Sequence, residues 1–355
     1  MHSLGNLVEI SNERGSATIR YPILKEGAVI GTTAPSSGVP ESLHGLIREA
    51  TRRLEKDGFR VVVGESVWTQ NKAKSAPAKV RAAELNRMVR DEGVDLIVPP
   101  WGGELLVEIL EHLDLEMLPE KWMLGYSDIS VLLLAVTLTT GLATAHGTNL
   151  VDLRSEYSDE TTAMWRTVLS TKTGKSVVQH SSPKFQKEWD HANPSPCIFH
   201  LTEPTDWKTV TGGKFHVQGR LLGGCVDVIR HLIGTPFGDV RTFQQERIGG
   251  EPILWYLENC ELNTADLRRS LVQLRLAGWF DHCSGLMFGR SPANHPVENY
   301  TAEDLYQELA EELQMPVIYD IDCGHVPPQI TFINGAYAEV EVEDGRGKVV
   351  QHFRP

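Results

Sequence analysis

Residues 121–136 set the terms for any fold of this chain. Lys121-Trp122-Met123-Leu124 reads as a short apolar strand, and Val131-Leu132-Leu133-Leu134-Ala135-Val136 reads as an apolar helix. The link Gly125-Tyr126-Ser127-Asp128 between them forces a sharp reversal. A serine on such a turn projects its hydroxyl from the C-terminal edge of a sheet, beside the N–H groups that open a helix. Those groups carry the positive end of the helix dipole and suit a developing oxyanion. The match to G-x-S-x-G is incomplete, because Ile129 replaces the second glycine. Gly-x-Ser before a helix also serves as an N-cap, so nucleophile and cap both stay open.

The preceding sequence repeats one unit. Ala28-Val29-Ile30-Gly31-Thr32-Thr33-Ala34 predicts a buried strand, and Leu43, Leu46/Ile47, Ala50 and Leu54 recur at helical spacing after it. Phe59-Arg60-Val61-Val62-Val63 is a second strand, Ala82, Leu85 and Met88/Val89 mark a second helix, and Asp95-Leu96-Ile97-Val98 is a third strand. A helix over Leu105–Leu113 leads to the strand before Ser127. Alternation of this kind implies a parallel, doubly wound sheet, whose sites gather beyond the carboxyl ends of the strands. The loops Ala34-Pro35-Ser36-Ser37, Trp101-Gly102-Gly103 and Gly125–Asp128 fall there, which makes Ser36 a candidate substrate contact. No G-x-G-x-x-G follows the first strand and no G-x-x-x-x-G-K-[ST] occurs, so a Rossmann site and a P-loop lack their phosphate cradles.

After Ser155 the texture changes. Residues 171–215 are rich in Ser, Thr, Pro, Lys and His, with Trp189 and Trp207 among them, and read as a linker and excursion. Beyond it, Ile253–Leu257 is a strand closed by Glu258, and Gly285–Gly289 is another. Ala336, Ala338, Val340 and Val342 alternate with polar residues up to Asp344-Gly345, which predicts a hairpin with one wet face. The expected organisation is an N-terminal α/β domain over 1–170, the excursion 171–215, and a C-terminal α+β domain over 216–355.

Composition narrows the function. The net charge of −13 over 355 residues disfavours a protein that tracks nucleic-acid phosphates, though one small nucleotide pocket is not excluded. The five cysteines, at 197, 225, 260, 283 and 323, contain no C-x-x-C, so no zinc knuckle or disulfide framework is indicated. Reduced thiols dispensable for catalysis are expected, with Cys323, near His325, the one to watch. No basic region followed by an apolar core opens the chain, and the longest uncharged run, 129–145, is too short and polar for a bilayer. A cytoplasmic protein without a metal or cofactor is the expectation.

A nucleophilic serine needs a base, and the base needs an orienting acceptor. His146 follows a strand of the first domain and reads better as a packed histidine near a sheet edge than as the base. His325, in Asp322-Cys323-Gly324-His325-Val326-Pro327-Pro328, sits at a strand-to-turn junction that presents its imidazole. Glu258 closes an apolar strand, as a cap partner or a functional acid. The order Ser…Glu…His matches one known triad solution.

Gly125-Tyr126-Ser127-Asp128, Gly102-Gly103, Leu257-Glu258-Asn259 and Gly324-His325 together resemble the serine LD-carboxypeptidases, peptidase family S66, from about Ala28 to Val342. The excursion Ser182–Trp189 and Gly219-Arg220-Leu221-Leu222-Gly223-Gly224-Cys225 look closer to its microcin C self-immunity branch. The resemblance implies Ser127 as nucleophile, His325 as general acid/base and Glu258 orienting the imidazole. It also implies an oxyanion hole from the N–H groups of Asp128 and the Gly102-Gly103 turn, and a homodimer. Asn259 and Trp101 depart from the usual pattern and reshape the pocket without touching the triad. The expected activity is hydrolysis of aminoacyl- or peptidyl-nucleotide amides, with murein tetrapeptides as the alternative substrate and non-catalytic small-molecule binding as the other class. A glutamine-amidotransferase-like domain would need cysteine where Ser127 stands. Trp189, in the polar excursion, is expected either to stack on a base as part of a lid or to pack on the domain surface.

Overall fold

The computed structural model describes residues 18–115, 118–187 and 197–355. Strands β1 (Val29–Thr32), β2 (Arg60–Val63), β3 (Leu96–Ile97), β4 (Trp122–Gly125) and β5 (Thr144–His146) run parallel, side by side in the order β5-β4-β3-β1-β2. Every residue of β1, β3 and β4 is buried, as strands covered on both faces require. Helix α1 (His44–Lys56) buries Ile47, Ala50 and Leu54, and α2 (Ala78–Arg90) buries Ala82, Leu85, Met88 and Val89, at the spacing the sequence predicts. Leu43 lies just before α1 in a 3-10 turn and is 41% exposed, so it is not part of that stripe. The segment read as a helix over Leu105–Leu113 is a 3-10 helix, Leu106–His112. Its first inward pair, Leu106 and Ile109, is three residues apart, which suits the tighter turn.

The second sheet has eight strands: β6 (Ser176–His180), β9 (Lys208–Thr209), β10 (Phe215–Cys225), β11 (Ile253–Glu258), β12 (Cys283–Gly289), β13 (Val317–Ile321), β15 (Tyr337–Glu343) and β16 (Arg346–His352). Its order is β6-β16-β15-β10-β11-β12-β13-β9, with β10 to β13 parallel and the flanking strands antiparallel. The predicted hairpin is β15–β16, turned by Asp344 and Gly345, both with positive φ. Short strands β7 (Lys184–Phe185) and β8 (Glu203–Pro204) pair separately.

Two connections differ from a simple reading of the sequence. Residues 171–215 supply both edges of the second sheet through β6 and β9. Alternating burial in β6 identifies it as a one-sided edge strand, a signal too short to stand out among polar neighbours. Strand β14 (Phe332–Asn334), late in the chain, returns to the first sheet and pairs antiparallel with β5.

Helix α3 (Ile129–Thr140) lies between the sheets. It is buried from Ile129 to Leu138 and packs on β4, β5 and β14 as well as on β10. A helix apolar on all sides belongs in such an interior. Its one early polar side chain, Ser130, accepts a hydrogen bond from the backbone N–H of Cys225 at 3.0 Å, tying α3 to the end of β10. No helix among the described residues is long and apolar enough to cross a membrane. Replacing Ser130 by alanine leaves the Cys225 N–H buried without an acceptor. The expected cost is about 1–3 kcal/mol, read as a lower urea midpoint at unchanged slope.

Candidate active site

Strand β4 delivers the chain to Ser127, which adopts φ +65°. A serine in this left-handed region is strained by roughly 1–2 kcal/mol, and the buried flanks β4 and α3 hold it there. The strain turns the side chain away from the helix and onto the sheet's carboxyl edge. Gly102 lies directly against it: a Cβ on Gly102 would stand 2.6 Å from the Ser127 Cβ, 2.7 Å from its Oγ and 3.0 Å from the Asp128 nitrogen. The N–H groups of Asp128 and Gly103 have no acceptor among the described residues.

The Asp128 side chain faces the other way. It is 2% exposed and accepts hydrogen bonds from the Ser36 hydroxyl and from the Leu106 N–H. Burial pushes its pKa up to about 6, against those two hydrogen bonds. This carboxyl group therefore joins the loops after β1 and β3 to the elbow. Ser36 is fully buried with its hydroxyl committed to Asp128, so it supports the elbow from behind and is not placed to contact substrate through its side chain. The sequence located its loop at the right sheet edge but could not say which way the hydroxyl points.

Glu258 closes β11, all six residues of which are buried. Its Oε2 accepts a 2.8 Å hydrogen bond from His325 Nδ1, and His325 Nε2 lies 3.0 Å from Ser127 Oγ. Glu258 is 1% exposed, whereas the imidazole of His325 keeps 19% of its surface open. Burial opposes charge on both partners. For Glu258 it is outweighed by the charge and hydrogen bond of His325, and its pKa falls below the ordinary value. For His325 it is outweighed by the Glu258 charge and by contact with the Cys260 and Glu258 side chains, and its pKa rises well above 6.5.

The loop carrying His325 is fixed from beneath by Asp322. Its carboxylate is paired with Arg290 and accepts from the Ser182 N–H (2.9 Å) and the Trp207 indole (3.1 Å). Gly324, at φ +92°, then passes so close to Glu258 that a Cβ there would lie 2.5 Å from Oε2. Sequence reasoning missed Arg290, although the signal that singled out Glu258, a charged residue closing an apolar strand, applies to it after Gly285–Gly289.

His146 is fully buried, and burial pushes its pKa down to about 4. It does not touch Ser127 and packs between the rings of Tyr126 and Tyr256. Cys225, Cys260, Cys283 and Cys323 are free thiols. Cys323 is 0% exposed and its thiol is pushed far up by burial, which corrects the expectation that it is the thiol to watch. Cys260, half-buried beside His325, is more open than Cys323. Trp189 lies outside the described residues. Among those residues no group of three His, Cys, Asp or Glu side chains is placed to hold a metal.

A cavity of about 510 Å³ reaches the residue after His325, Val326, and is walled also by Phe185, Lys187, Lys208, Arg290 and Asp320. The Arg290 guanidinium lies 4.6 Å from the Phe185 ring centre, covering one of its faces. Lys208 is paired with Asp320 at 2.8 Å.

Comparison with known proteins places the two halves of the chain and their fold. The LD-carboxypeptidase N-terminal domain matches residues 30–147, and the LD-carboxypeptidase C-terminal domain matches residues 218–340. The microcin C7 self-immunity protein MccF of Escherichia coli is 22% identical, over 94% of this chain and 97% of its own. A murein peptide carboxypeptidase, named as probable, of Bacillus subtilis is 25% identical over 90% and 91%. Among solved structures, microcin C7 self-immunity protein MccF with aspartyl sulfamoyl adenosine superimposes with TM-score 0.77 at 20% identity, covering 94% of this chain and 99% of that one. Muramoyltetrapeptide carboxypeptidase from Oxalobacter formigenes gives TM-score 0.70 at 19% identity, covering 92% and 100%.

Two outcomes follow from the local geometry. Gly324→Ala should lose at least about a hundredfold in activity while remaining folded by circular dichroism, since its Cβ and the φ it resists both displace the Glu258–His325 pair. A small thiol reagent should label Cys260 well before Cys323, read by peptide mass spectrometry.

Proposed function

The chain belongs to the LD-carboxypeptidase family, peptidase family S66, and from that premise we propose that it is a serine amide hydrolase working through Ser127, His325 and Glu258. The observation that carries the proposal is the unbroken line of hydrogen bonds from Ser127 Oγ to His325 and on to Glu258, spanning elements from both sheets. Ser127 Oγ attacks the amide carbonyl and its proton passes to His325 Nε2. The N–H groups of Asp128 and of the Gly102-Gly103 turn hold the oxyanion. His325 then protonates the departing amine, and a water molecule, deprotonated by the same nitrogen, releases the acyl group from Ser127. Glu258 keeps the imidazole in the tautomer that accepts at Nε2 and stabilises the imidazolium once formed.

The substrate class we propose is an aminoacyl- or peptidyl-nucleotide amide. The cavity lined by Val326 supports it, with one aromatic wall at Phe185 and a mixed polar rim in which Lys187, Lys208 and Arg290 stand among Glu203, Asp206 and Asp320. A base on an aromatic ring contributes roughly 1–3 kcal/mol. The relative with aspartyl sulfamoyl adenosine points the same way. Trp189, proposed as a further stacking partner, rests on the sequence alone. The murein reading draws on the relatives named as murein peptide and muramoyltetrapeptide carboxypeptidases. A non-catalytic binder has no use for a serine strained against a paired histidine. A homodimer, a cytoplasmic setting and a division of the chain near residues 170 and 216 belong to the same proposal.

Incubation with aspartyl-sulfamoyl adenosine and, separately, with a murein tetrapeptide, followed by mass spectrometry, decides the substrate. Release of aspartate from the first is expected. Cleavage of the tetrapeptide alone would replace the nucleotide reading by the LD-carboxypeptidase one. Ser127→Ala and His325→Ala should each lower kcat by about 10⁴-fold or more, and the double variant should be little worse than either. A Phe185→Ala change should raise KM for the nucleotide substrate by about tenfold.

The pH profile follows from His325. The base acts only when neutral, and its pKa lies well above 6.5, so kcat/KM should climb through an acid limb above that pH. The same shift stabilises the fold: the contribution is complete below pH 6.5 and fades as pH rises through the folded value.

A further inference from the structure

Glu258 and His146 each leave one buried polar atom without a partner, Oε1 of the carboxylate and Nε2 of the imidazole. Either is costly alone, because a buried acceptor or donor gives up its water and receives nothing. The two side chains face the same space. Tyr256 and Glu258 stand two residues apart on β11 and so point to the same face, and the His146 ring centre lies 5.3 Å from that of Tyr256. The loop around Cys323 and Gly324 closes the third side. Its Gly324 abuts the Glu258 carboxylate, and the Cys323 sulfur lies 3.9 Å from His146 Nδ1.

The Cys323 thiol stays protonated under burial, and an S–H donated toward Nδ1 places the ring proton on Nε2, the nitrogen that otherwise has no partner. We propose that His146 is a positioning residue of the triad, its Nε2–H joined to Glu258 Oε1 through a single buried water molecule. This rests on the reading of Ser127, His325 and Glu258 as the triad. The line then runs from the Cys323 thiol through His146, water and Glu258 to His325 and Ser127. Each carboxylate oxygen receives one donor, and the carboxylate plane is fixed against the imidazole it orients. His146 is suited to this role because it remains neutral across the working pH range and adds a hydrogen bond without a competing charge.

The other titratable groups facing this space are Tyr126 and Asp152 from the first sheet's side, Cys225 at the end of β10, and Tyr256, Cys260 and Cys323 from the second. Burial holds the two tyrosines, Cys225 and Cys323 protonated. Burial pushes Asp152 up to about 6, and Cys260 touches His325 rather than His146. The Cys225 thiol lies close enough to the Glu258 carboxylate to help lower its pKa but is directed to Asp227, and no hydrogen bond reaches Oε1 among the described residues.

Two substitutions separate positioning from packing. His146→Phe retains a ring between Tyr126 and Tyr256 and removes both nitrogens, whereas His146→Gln puts an amide donor near the place of Nε2. The phenylalanine variant should lose about tenfold in kcat at unchanged KM, the scale of one buried hydrogen bond to a charged group. Its acid limb in kcat/KM should move up by about half a pH unit, because a carboxylate relieved of its donor holds the imidazolium proton more tightly. The glutamine variant should recover most of both. A folded phenylalanine variant with the wild-type rate and profile overturns the proposal, as does a glutamine variant no better than phenylalanine. Should the phenylalanine variant not fold, the wild-type protein decides: nitrogen-15 shifts of His146 reporting the proton on Nε2 support the proposal, and on Nδ1 overturn it. Ser127→Ala assayed alongside keeps the issues apart, since turnover without Ser127 would sink the triad itself and not the role of His146.

Discussion

The hydrogen bond from the Cys225 N–H to Ser130 Oγ is the point on which the site depends. Ser130 is three residues beyond Ser127, and its own N–H bonds back to the Ser127 carbonyl at 2.9 Å. Cys225 is the register partner of Glu258 across β10 and β11. The path from nucleophile to orienting acid thus runs through one helical turn, one side-chain hydrogen bond and one pair of strands. His325 closes the ring by touching both ends. A triad drawn from two sheets needs such a short mechanical link, because an ångström of slippage between layers would open the 3.0 Å contact to Ser127. Strand β14 adds a second link, since a late segment of the chain completes the early sheet beside His146.

The electrostatics follow from the same closure. Nearly every ionisable group around the triad is shifted by burial toward its neutral form: Asp128 and Asp152 up to about 6, His146 down to about 4, Cys225 and Cys323 far up. Glu258 and His325 alone in this group move toward their charged forms, because each offsets the desolvation of the other. The surroundings are quiet so that one pair can be polar. In the mechanism proposed above, attack by Ser127 would create positive charge on His325 next to a carboxylate already in place, so little reorganisation would accompany the proton transfer.

The N-terminal sheet was legible because each strand and helix carries its own signal: buried β-branched runs, inward residues at helical spacing, and glycine stops. That Ser127, Glu258 and His325 come together was foreseeable from where they sit, at the ends of apolar segments, and from the family resemblance; their hydrogen bonds are what the fold adds, and their catalytic roles are the proposal. Residues whose role depends on direction were not. Ser36 lies in the right loop but donates inward to Asp128, and Cys323 precedes His325 by two residues yet is sealed from the cleft. Nor could local pattern foresee β14 in the first sheet or β6 and β9 at the edges of the second, since non-local pairing leaves little trace in segments of two to five residues. Arg290 belongs between these cases. Its position after an apolar strand was visible, but its partner Asp322 lies 32 residues on, and only the fold brings the two together.

Arg290 also bears on how one machinery could serve different amides. In the proposed mechanism the triad and the N–H groups around Ser127 act on the carbonyl and its immediate neighbours, so they would discriminate poorly between leaving groups of different size. On that reading discrimination falls to the cavity lined by Val326, where the Arg290 guanidinium covers one face of Phe185 while its Nη2 donates to both Asp322 and the Val326 carbonyl. The same side chain therefore shapes the wall that a leaving group would meet and steadies the loop that presents the base. A change at Arg290 would alter recognition and chemistry together, whereas one at Phe185 would reach recognition first. Substrate preference in this fold can then drift at the aromatic wall while the arginine, bound to both tasks, is held in place.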